Sequence, residues 1–236
     1  LKPVPSDYRK TVYYNTYDIP ASMLGDSTLT VGIVLGPGRY FPMRQHKAAK
    51  IPVFGNPTCR LNLIVEYADG SRRKLVTDDS WRVTDLGPIR LANEYDGEVY
   101  DARMEMPGWA ASGFDDSAWL PAQRSAVPYG TLRAQTTPNM TCGESVSPLS
   151  VTPHGDRHIV DFGVNMAGWI ALRPRGAEGD TIRIRFAERL TPDGTLYTAN
   201  LRDARSEDIY ICSGRELGEV TWTPSFTYHG FRYAEV

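Results

Sequence analysis

The sequence lacks uninterrupted windows long enough for helices of three turns. Its 236 residues include 21 glycines and 17 prolines, and one or the other interrupts almost every such window. Glycine and proline disfavour the interior of a helix, whereas aromatic residues, which make up 11% of the chain, favour strands. The composition therefore predicts an all-β fold.

Long apolar runs and an excess of one charge are also missing. No stretch approaches the ~20 apolar residues of a membrane-spanning helix, and residues 1–5 do not resemble a secretory signal. The formal net charge of −2 provides no field that would attract a polyanion or an acidic membrane surface. We therefore expect neither nucleic acid nor a membrane among the partners.

Cysteine is scarce, and its spacing fits neither a disulfide framework nor a CxxC metal site. Cysteine is among the most frequently buried residue types. We therefore predict free and mostly buried thiols at the three positions, which are Cys59, Cys142 and Cys212.

A nucleophile with its base is not recognisable either. The sequence has no Gly-x-Ser-x-Gly elbow, and no serine or cysteine motif accompanies its four histidines, which are His46, His154, His158 and His229. A hydrolase triad is therefore not predicted.

Apolar alternation predicts strands in both halves of the chain. Residues 29–35 and 61–67 each place apolar side chains on one face, and Asp69-Gly70 predicts a hairpin turn into residues 72–77. Residues 181–188 form the clearest predicted strand. Shorter strands are predicted near residues 208–212, 220–223 and 231–236, and single helical turns at residues 19–24 and 114–119.

Residues 120–138 carry no apolar periodicity and are rich in Pro, Ala, Gln and Thr. This composition is typical of a linker or of an edge segment between two units. We therefore predict two tandem antiparallel β-sandwiches with a boundary between residues 1–129 and 130–236.

The charged run Gly97-Glu98-Val99-Tyr100-Asp101-Ala102-Arg103 is the strongest site candidate, because charges of both signs are costly to bury without partners. On a strand, Asp96 and Glu98 would share a face and Asp101 would lie opposite, so they do not form an obvious pair for glycoside hydrolysis. An ion pair between Asp101 and Arg103 that joins neighbouring strands is the favoured interpretation. Contact with a sugar or calcium remains an alternative.

Two further patterns have a structural and a functional interpretation. Trp81, Trp109 and Trp119 could stack on a sugar face or fill the core. Residues 161–169 alternate and contain two glycines, which predicts two strands joined by a bulge or tight turn, with Asn165 at positive φ. Asp96, Glu98, Asp101, Trp109 and Trp119 are the tentative carbohydrate-binding residues.

Several short motifs, taken together and in order, resemble bacterial α-L-rhamnosidases of glycoside hydrolase family 78 across nearly the whole chain. The motifs are Asp79-Ser80-Trp81, Gly87-Pro88-Ile89, the charged run 97–103, Gly108-Trp109, Phe114-Asp115-Asp116-Ser117-Ala118-Trp119, Asp161-Phe162-Gly163, Asn165-Met166-Ala167-Gly168-Trp169, Ala187-Glu188, Asp193-Gly194-Thr195-Leu196-Tyr197, Asn200-Leu201-Arg202, Asp208-Ile209-Tyr210 and Tyr228-His229-Gly230-Phe231-Arg232-Tyr233.

The resemblance implies an architecture and a parent activity. It implies a galactose-binding-like jelly roll, shortened at its start, followed by a concanavalin-like sandwich that precedes an (α/α)6 catalytic barrel in the same polypeptide. It also implies hydrolysis of terminal α-L-rhamnosides with inversion, and it favours a secreted or periplasmic location over a cytoplasmic one.

The sequence departs from the family where catalysis would be expected. The acidic barrel motifs have no counterpart here, so we assign no catalytic residue and expect a non-catalytic accessory region that supports the barrel and is inactive alone. A calcium-dependent module that binds L-rhamnose and a purely structural scaffold are the alternatives. No cofactor is required by this interpretation, calcium stays an open ligand, and no metal ligands are assigned.

Overall fold

The computed structural model describes residues 3–23, 29–41, 53–126, 130–216 and 220–236, so His46 lies outside the described residues. Thirteen strands and three short 3₁₀ turns are described. The strands are β1 (Thr11–Tyr14), β2 (Asn62–Glu66), β3 (Arg72–Val76), β4 (Arg82–Val83), β5 (Ile89–Asn93), β6 (Gly97–Asp101), β7 (Leu120–Pro121), β8 (Thr131–Ala134), β9 (Ser150–His154), β10 (Arg157–Gly168), β11 (Thr181–Ala187), β12 (Glu207–Ile211) and β13 (His229–Glu235).

The all-β class predicted from composition is confirmed. The 3₁₀ turns cover only Ala21–Met23, Ala102–Met104 and Ala199–Leu201. Within the described ranges, no helix has the length and apolar character needed to cross a membrane.

The largest sheet has seven strands in the order β5-β6-β12-β11-β13-β10-β9, and the other strands form the two-stranded sheets β1-β8, β2-β3 and β4-β7. The predicted hairpin is confirmed, because Asn62 pairs with Val76 and Glu66 with Arg72. Two pairings are parallel rather than antiparallel, namely β1 with β8 and β6 with β12.

The parallel pairing of β6 with β12 joins the two halves of the chain. Val99 pairs with Ile209 and Asp101 with Ile211, so the large sheet extends across the predicted boundary at residues 129 and 130. The boundary itself stays a prediction. The segment 120–138 contains β7 and β8, and both pair with earlier strands, as expected of an edge segment.

Successive side chains of a strand point to opposite faces, and the large sheet accordingly has two apolar clusters. Phe186, Ala234 and the half-buried Val160 belong to the larger cluster, with Ile184, Tyr210 and Phe231. Their chain neighbours Ala187, Tyr233 and Ile159 belong to the smaller one. The inward orientation predicted for alternate residues of β11 is therefore confirmed.

Ion pairs cover the face of the sheet that carries the smaller cluster. Glu207 contacts Arg183 Nη1 at 3.1 Å and Arg205 Nη2 at 3.0 Å. Glu235 contacts Arg157 at 3.0 Å and Arg185 at 3.3 Å. The arginine side chains thus cover the carboxylates of Glu207 and Glu235, and each carboxylate keeps charged hydrogen-bonding partners.

Strand β10 contains the bulge predicted in residues 161–169. Asp161 pairs with Tyr233 and Met166 with Phe231. Strand β10 therefore advances five residues over a distance in which β13 advances two. The prediction of positive φ at Asn165 was wrong, because Gly163 adopts it at +77°. Asp161 Oδ1 accepts a hydrogen bond from Gly163 N at 2.7 Å and holds the bulge.

Three expectations about individual segments were wrong. Residues 29–35 contain no strand. The backbone of this segment instead packs against aromatic rings, because a Cβ at Gly32 would overlap Trp109 and a Cβ at Gly36 would overlap Phe226. Residues 220–223 make only the single bridge from Trp222 to Leu172.

The third concerns the thiols. All three are free, but only Cys212 is buried, and Cys59 and Cys142 are exposed. Both exposed cysteines lie in segments outside the strands.

Candidate functional site

The β5–β6 hairpin places the charged run against β12. Asn93 Oδ1 accepts hydrogen bonds from Tyr95 N at 2.9 Å and Asp96 N at 2.7 Å, which closes the turn. Gly97 follows at φ +99°, and a Cβ at this position would overlap the carbonyl oxygen of Glu207. Only glycine permits this close approach of two backbones.

Glu98 is the most deeply buried charged residue of the run, with 0% of its surface exposed. Its Oε2 accepts hydrogen bonds from Ser225 N at 2.9 Å and Phe226 N at 3.0 Å. Its Oε1 has no hydrogen-bond partner among the residues that the structure describes. Burial therefore outweighs the two amide donors and raises the pKa of Glu98 to about 7.

Asp208 and His229 lie beside Glu98 on the same buried face. Asp208 Oδ1 accepts a hydrogen bond from Glu98 N at 3.0 Å and lies 3.0 Å from His229 Nε2. The other ring nitrogen, Nδ1, lies 3.2 Å from Ser206 Oγ, and the His229 ring stacks on Phe186. With its proton on Nε2, the imidazole would donate to Asp208 and accept from Ser206.

We call the buried set of Asn93, Asp96, Glu98, Ser206, Asp208, Thr227 and His229 the polar joint. Two further hydrogen bonds connect its parts. Thr227 Oγ1 donates to Asn93 O at 3.0 Å, and Ser206 N donates to Tyr95 O at 3.0 Å. Ser206 adopts φ +47°, a conformation that costs free energy in a residue with a Cβ. The joint holds residues of both halves in fixed positions.

Sequence reasoning missed this arrangement. It found no serine partner for a histidine, yet Ser206, His229 and Asp208 form a contiguous Ser-His-Asp set. All three are at least 94% buried, so the Ser206 hydroxyl group is not presented to a substrate. The partners come from β12 and β13 and meet only through strand pairing, which no local motif records.

The predicted carboxylates are all buried, with exposures of 3% for Asp96, 0% for Glu98 and 7% for Asp101. Asp96 lies in the β5–β6 turn rather than on a strand, so the predicted alternation does not apply to it. The ion pair of Asp101 with Arg103 is confirmed at 2.7 Å. It lies within one segment, where Asp101 also caps the following 3₁₀ turn, so it does not join neighbouring strands.

The two predicted tryptophans make contacts elsewhere and stay half-buried. Trp109 packs over the backbone of Gly32, and Trp119 meets Phe114 edge-on with ring centroids 5.7 Å apart. The structure thus groups Asp96 and Glu98 but brings neither ring onto them. Across the described ranges, no group of three or more His, Cys, Asp or Glu side chains could hold a metal ion.

An exposed polar depression of about 530 Å³ lies on the large sheet. It is lined by Asn165, Glu188, Arg189, Leu190, Arg232 and Tyr233. The β10 bulge, the end of β11 and strand β13 converge there. Four of these residues, Asn165, Glu188, Arg232 and Tyr233, belong to motifs of the sequence, but the sequence assigned none of the six to a site, because the bulge register that gathers them is a tertiary feature.

Family comparison identifies two adjoining regions. Residues 1–144 match the α-L-rhamnosidase N-terminal domain, and residues 152–236 match the bacterial α-L-rhamnosidase concanavalin-like domain. A curated α-L-rhamnosidase of Streptomyces avermitilis is 40% identical over 245 residues, and one of Formosa agariphila is 34% identical over 238 residues. The whole chain is covered in both cases, but it spans only 23% and 25% of those relatives.

Solved structures agree with this match. The Streptomyces avermitilis α-L-rhamnosidase complexed with L-rhamnose has a TM-score of 0.69 and 44% identity, covering 74% of this chain and 17% of that one. The α-L-rhamnosidase of Dictyoglumus thermophilum has a TM-score of 0.74 and 38% identity, covering 84% and 21%. The expected jelly-roll and concanavalin-like regions thus have structural counterparts in both enzymes.

Proposed function

This chain belongs to the bacterial α-L-rhamnosidase family as its N-terminal and concanavalin-like regions, and from that premise we propose that it is a non-catalytic accessory region of an enzyme that hydrolyses α-L-rhamnosides. In this role it provides a rigid β platform for the catalytic barrel of the same polypeptide.

The observation that carries this proposal is the structural use of the charged run. Glu98 accepts hydrogen bonds from two backbone amides, and Asp208 contacts the His229 ring. Both carboxyl groups are buried away from solvent. Asp101 is engaged by Arg103. A glycosidase instead needs two carboxyl groups that face a bound sugar across roughly 5 to 9.5 Å. These carboxyl groups support the joint between strands and face no such space.

The test is hydrolysis of 4-nitrophenyl α-L-rhamnopyranoside by the purified chain. We expect no release of nitrophenol above buffer, with calcium or with chelator, while a full-length family member cleaves the same substrate. A cooperative thermal transition would show that the chain is folded in the assay. Release that scales with chain concentration and survives chelation would overturn the proposal.

Carbohydrate binding is the second candidate, because the Streptomyces avermitilis relative was solved in complex with L-rhamnose and this chain carries an exposed polar depression. The candidate residues for such binding, which are Asp96, Glu98, Asp101, Trp109 and Trp119, stay a prediction, as does calcium. Calorimetry with L-rhamnose tests it, since heat that chelator abolishes would support a calcium-dependent module and no heat at millimolar sugar would contradict it.

A further inference from the structure

The exposed depression is organised around a carboxylate that is held from two sides. Glu188 Oε1 accepts a hydrogen bond from Asn165 Nδ2 at 3.1 Å, and Oε2 accepts one from Asn200 Nδ2 at 3.3 Å. Asn165 belongs to the β10 bulge and Asn200 to the 3₁₀ turn Ala199–Leu201. Two separate segments therefore fix the plane of one exposed carboxylate.

A guanidinium is fixed on the same surface. Arg232 Nε and Nη2 each donate to Asp161 at 2.9 Å, and the guanidinium lies 5.0 Å from the centre of the Tyr233 ring. Asp161 also accepts the Gly163 amide that closes the bulge. The Asp161 carboxylate thus holds both the bulge that contains Asn165 and the guanidinium of Arg232.

Strand β13 leaves the space over Glu188 open. Gly230 has no side chain, and a Cβ at this position would lie 3.8 Å from Glu188 Oε1. The adjacent segment contains Arg202 at φ +56°, which is a strained conformation for a residue other than glycine. Such strain is often retained where it positions functional groups.

The chemistry of these groups suits a neutral ligand rich in hydroxyl groups. Glu188 and Asp161 balance the charges of Arg189 and Arg232, so the depression favours neither an anion nor a cation. Each Glu188 oxygen keeps a second acceptor site, and each asparagine keeps an amide oxygen. Acceptors and donors presented side by side match the vicinal hydroxyl groups of a pyranose, each of which can donate one hydrogen bond and accept another.

We propose that the depression lined by Asn165, Glu188, Arg232 and Tyr233, with Glu188 oriented by Asn200, binds a pyranose sugar through two vicinal hydroxyl groups that donate to Glu188. This site is separate from the polar joint and from Trp109 and Trp119. The inference deepens the carbohydrate-binding candidate of the proposed function and rests on that candidate, not on the absence of catalysis.

The test is a titration of the ¹⁵N-labelled chain with methyl α-L-rhamnopyranoside, methyl α-D-mannopyranoside and methyl β-D-glucopyranoside, followed by backbone amide shifts. We expect at least one sugar to shift the amides of Asn165, Gly230 and Arg232 at millimolar concentration. Chelator is expected to leave these shifts unchanged, because side chains alone make the contacts.

Two variants remove the site in different ways. Glu188→Gln replaces the charged acceptor, and Gly230→Val fills the space over it; each is expected to weaken binding by at least about tenfold. Glu144→Gln, at an exposed glutamate in another segment, is the control and should bind like the parent chain.

The outcomes separate the two proposals. Unchanged affinity in Glu188→Gln and Gly230→Val, or no shift with any of the three sugars, would overturn the site and leave the accessory role standing. Hydrolysis of the aryl rhamnoside by the chain alone would overturn the accessory role and leave binding at Glu188 standing.

Discussion

Replacing Glu98 by glutamine is expected to change how the stability of this chain depends on pH. In the folded chain the pKa of Glu98 is about 7, against an ordinary value of 4.5, because burial disfavours the carboxylate. Between these pH values the folded state keeps a proton that the unfolded state has released. The free energy of unfolding therefore falls as the pH rises through this window.

The magnitude follows from the difference between the two pKa values. At about 1.4 kcal/mol for each pKa unit, ionising Glu98 in the folded state costs roughly 3 kcal/mol once the pH exceeds 7. Glutamine cannot ionise, so the variant lacks this slope. We expect Glu98→Gln to gain about 3 kcal/mol relative to the parent chain between pH 4.5 and pH 7.5.

Urea unfolding across this pH range measures the difference directly. The other ionisable groups are the same in both proteins, so their contributions cancel to first order when the two free energies of unfolding are subtracted. The exposed substitution Glu144→Gln should leave the slope of the parent chain intact. Parallel profiles for the parent and Glu98→Gln, agreeing within about 0.5 kcal/mol at every pH, would refute the reasoning.

Two other substitutions test the packing around the sheet. Gly97→Ala should lower the free energy of unfolding by more than about 2 kcal/mol, because φ is +99° and the new Cβ would overlap the Glu207 carbonyl oxygen; Gly143→Ala, where a Cβ meets nothing within 4 Å, is the matched control, and equal urea midpoints would contradict this. Ser213→Ala should cost about 1 to 2 kcal/mol at pH 7. Burial alone would raise the pKa of Glu216, but donors from Ser213 and Tyr210 hold it at about 2. That stability is present above pH 4.5 and is lost as the pH falls toward 2, so a Ser213→Ala loss that stays constant down to pH 2.5 would contradict the assignment.

Local patterns predicted the elements whose partners are close in the chain. The β2–β3 hairpin follows from alternation around Asp69-Gly70, and β11 from the apolar positions Ile182, Ile184 and Phe186. In both cases a local rule, turn chemistry or a two-residue period, is sufficient. The bulge in residues 161–169 was predicted on the same basis, since glycine marks the place where a strand is interrupted.

Features that depend on distant partners were not predicted. Residues 29–35 alternate like a strand, but Gly32 and Gly36 pack against Trp109 and Phe226, and no ladder forms. The partners of Glu98 lie more than 100 residues away in the chain. Alternation reports which side chains face an apolar layer, and it carries no information about which strand lies beside another.

The charged run 97–103 shows why residue type alone is a weak guide to a sugar site. Its carboxylates accept hydrogen bonds from the backbone amides of Ser225 and Phe226 and from Arg103, so their hydrogen-bonding capacity is directed into the protein. Glu188 has the opposite setting, because two asparagines orient it and leave it at the surface. A carboxylate that its neighbours orient but leave accessible reorganises little when a hydroxyl group binds to it. Unlike a buried carboxylate, it is still open to a ligand from solvent. We therefore place the proposed contact with a sugar at Glu188, whereas Glu98 supports the fold.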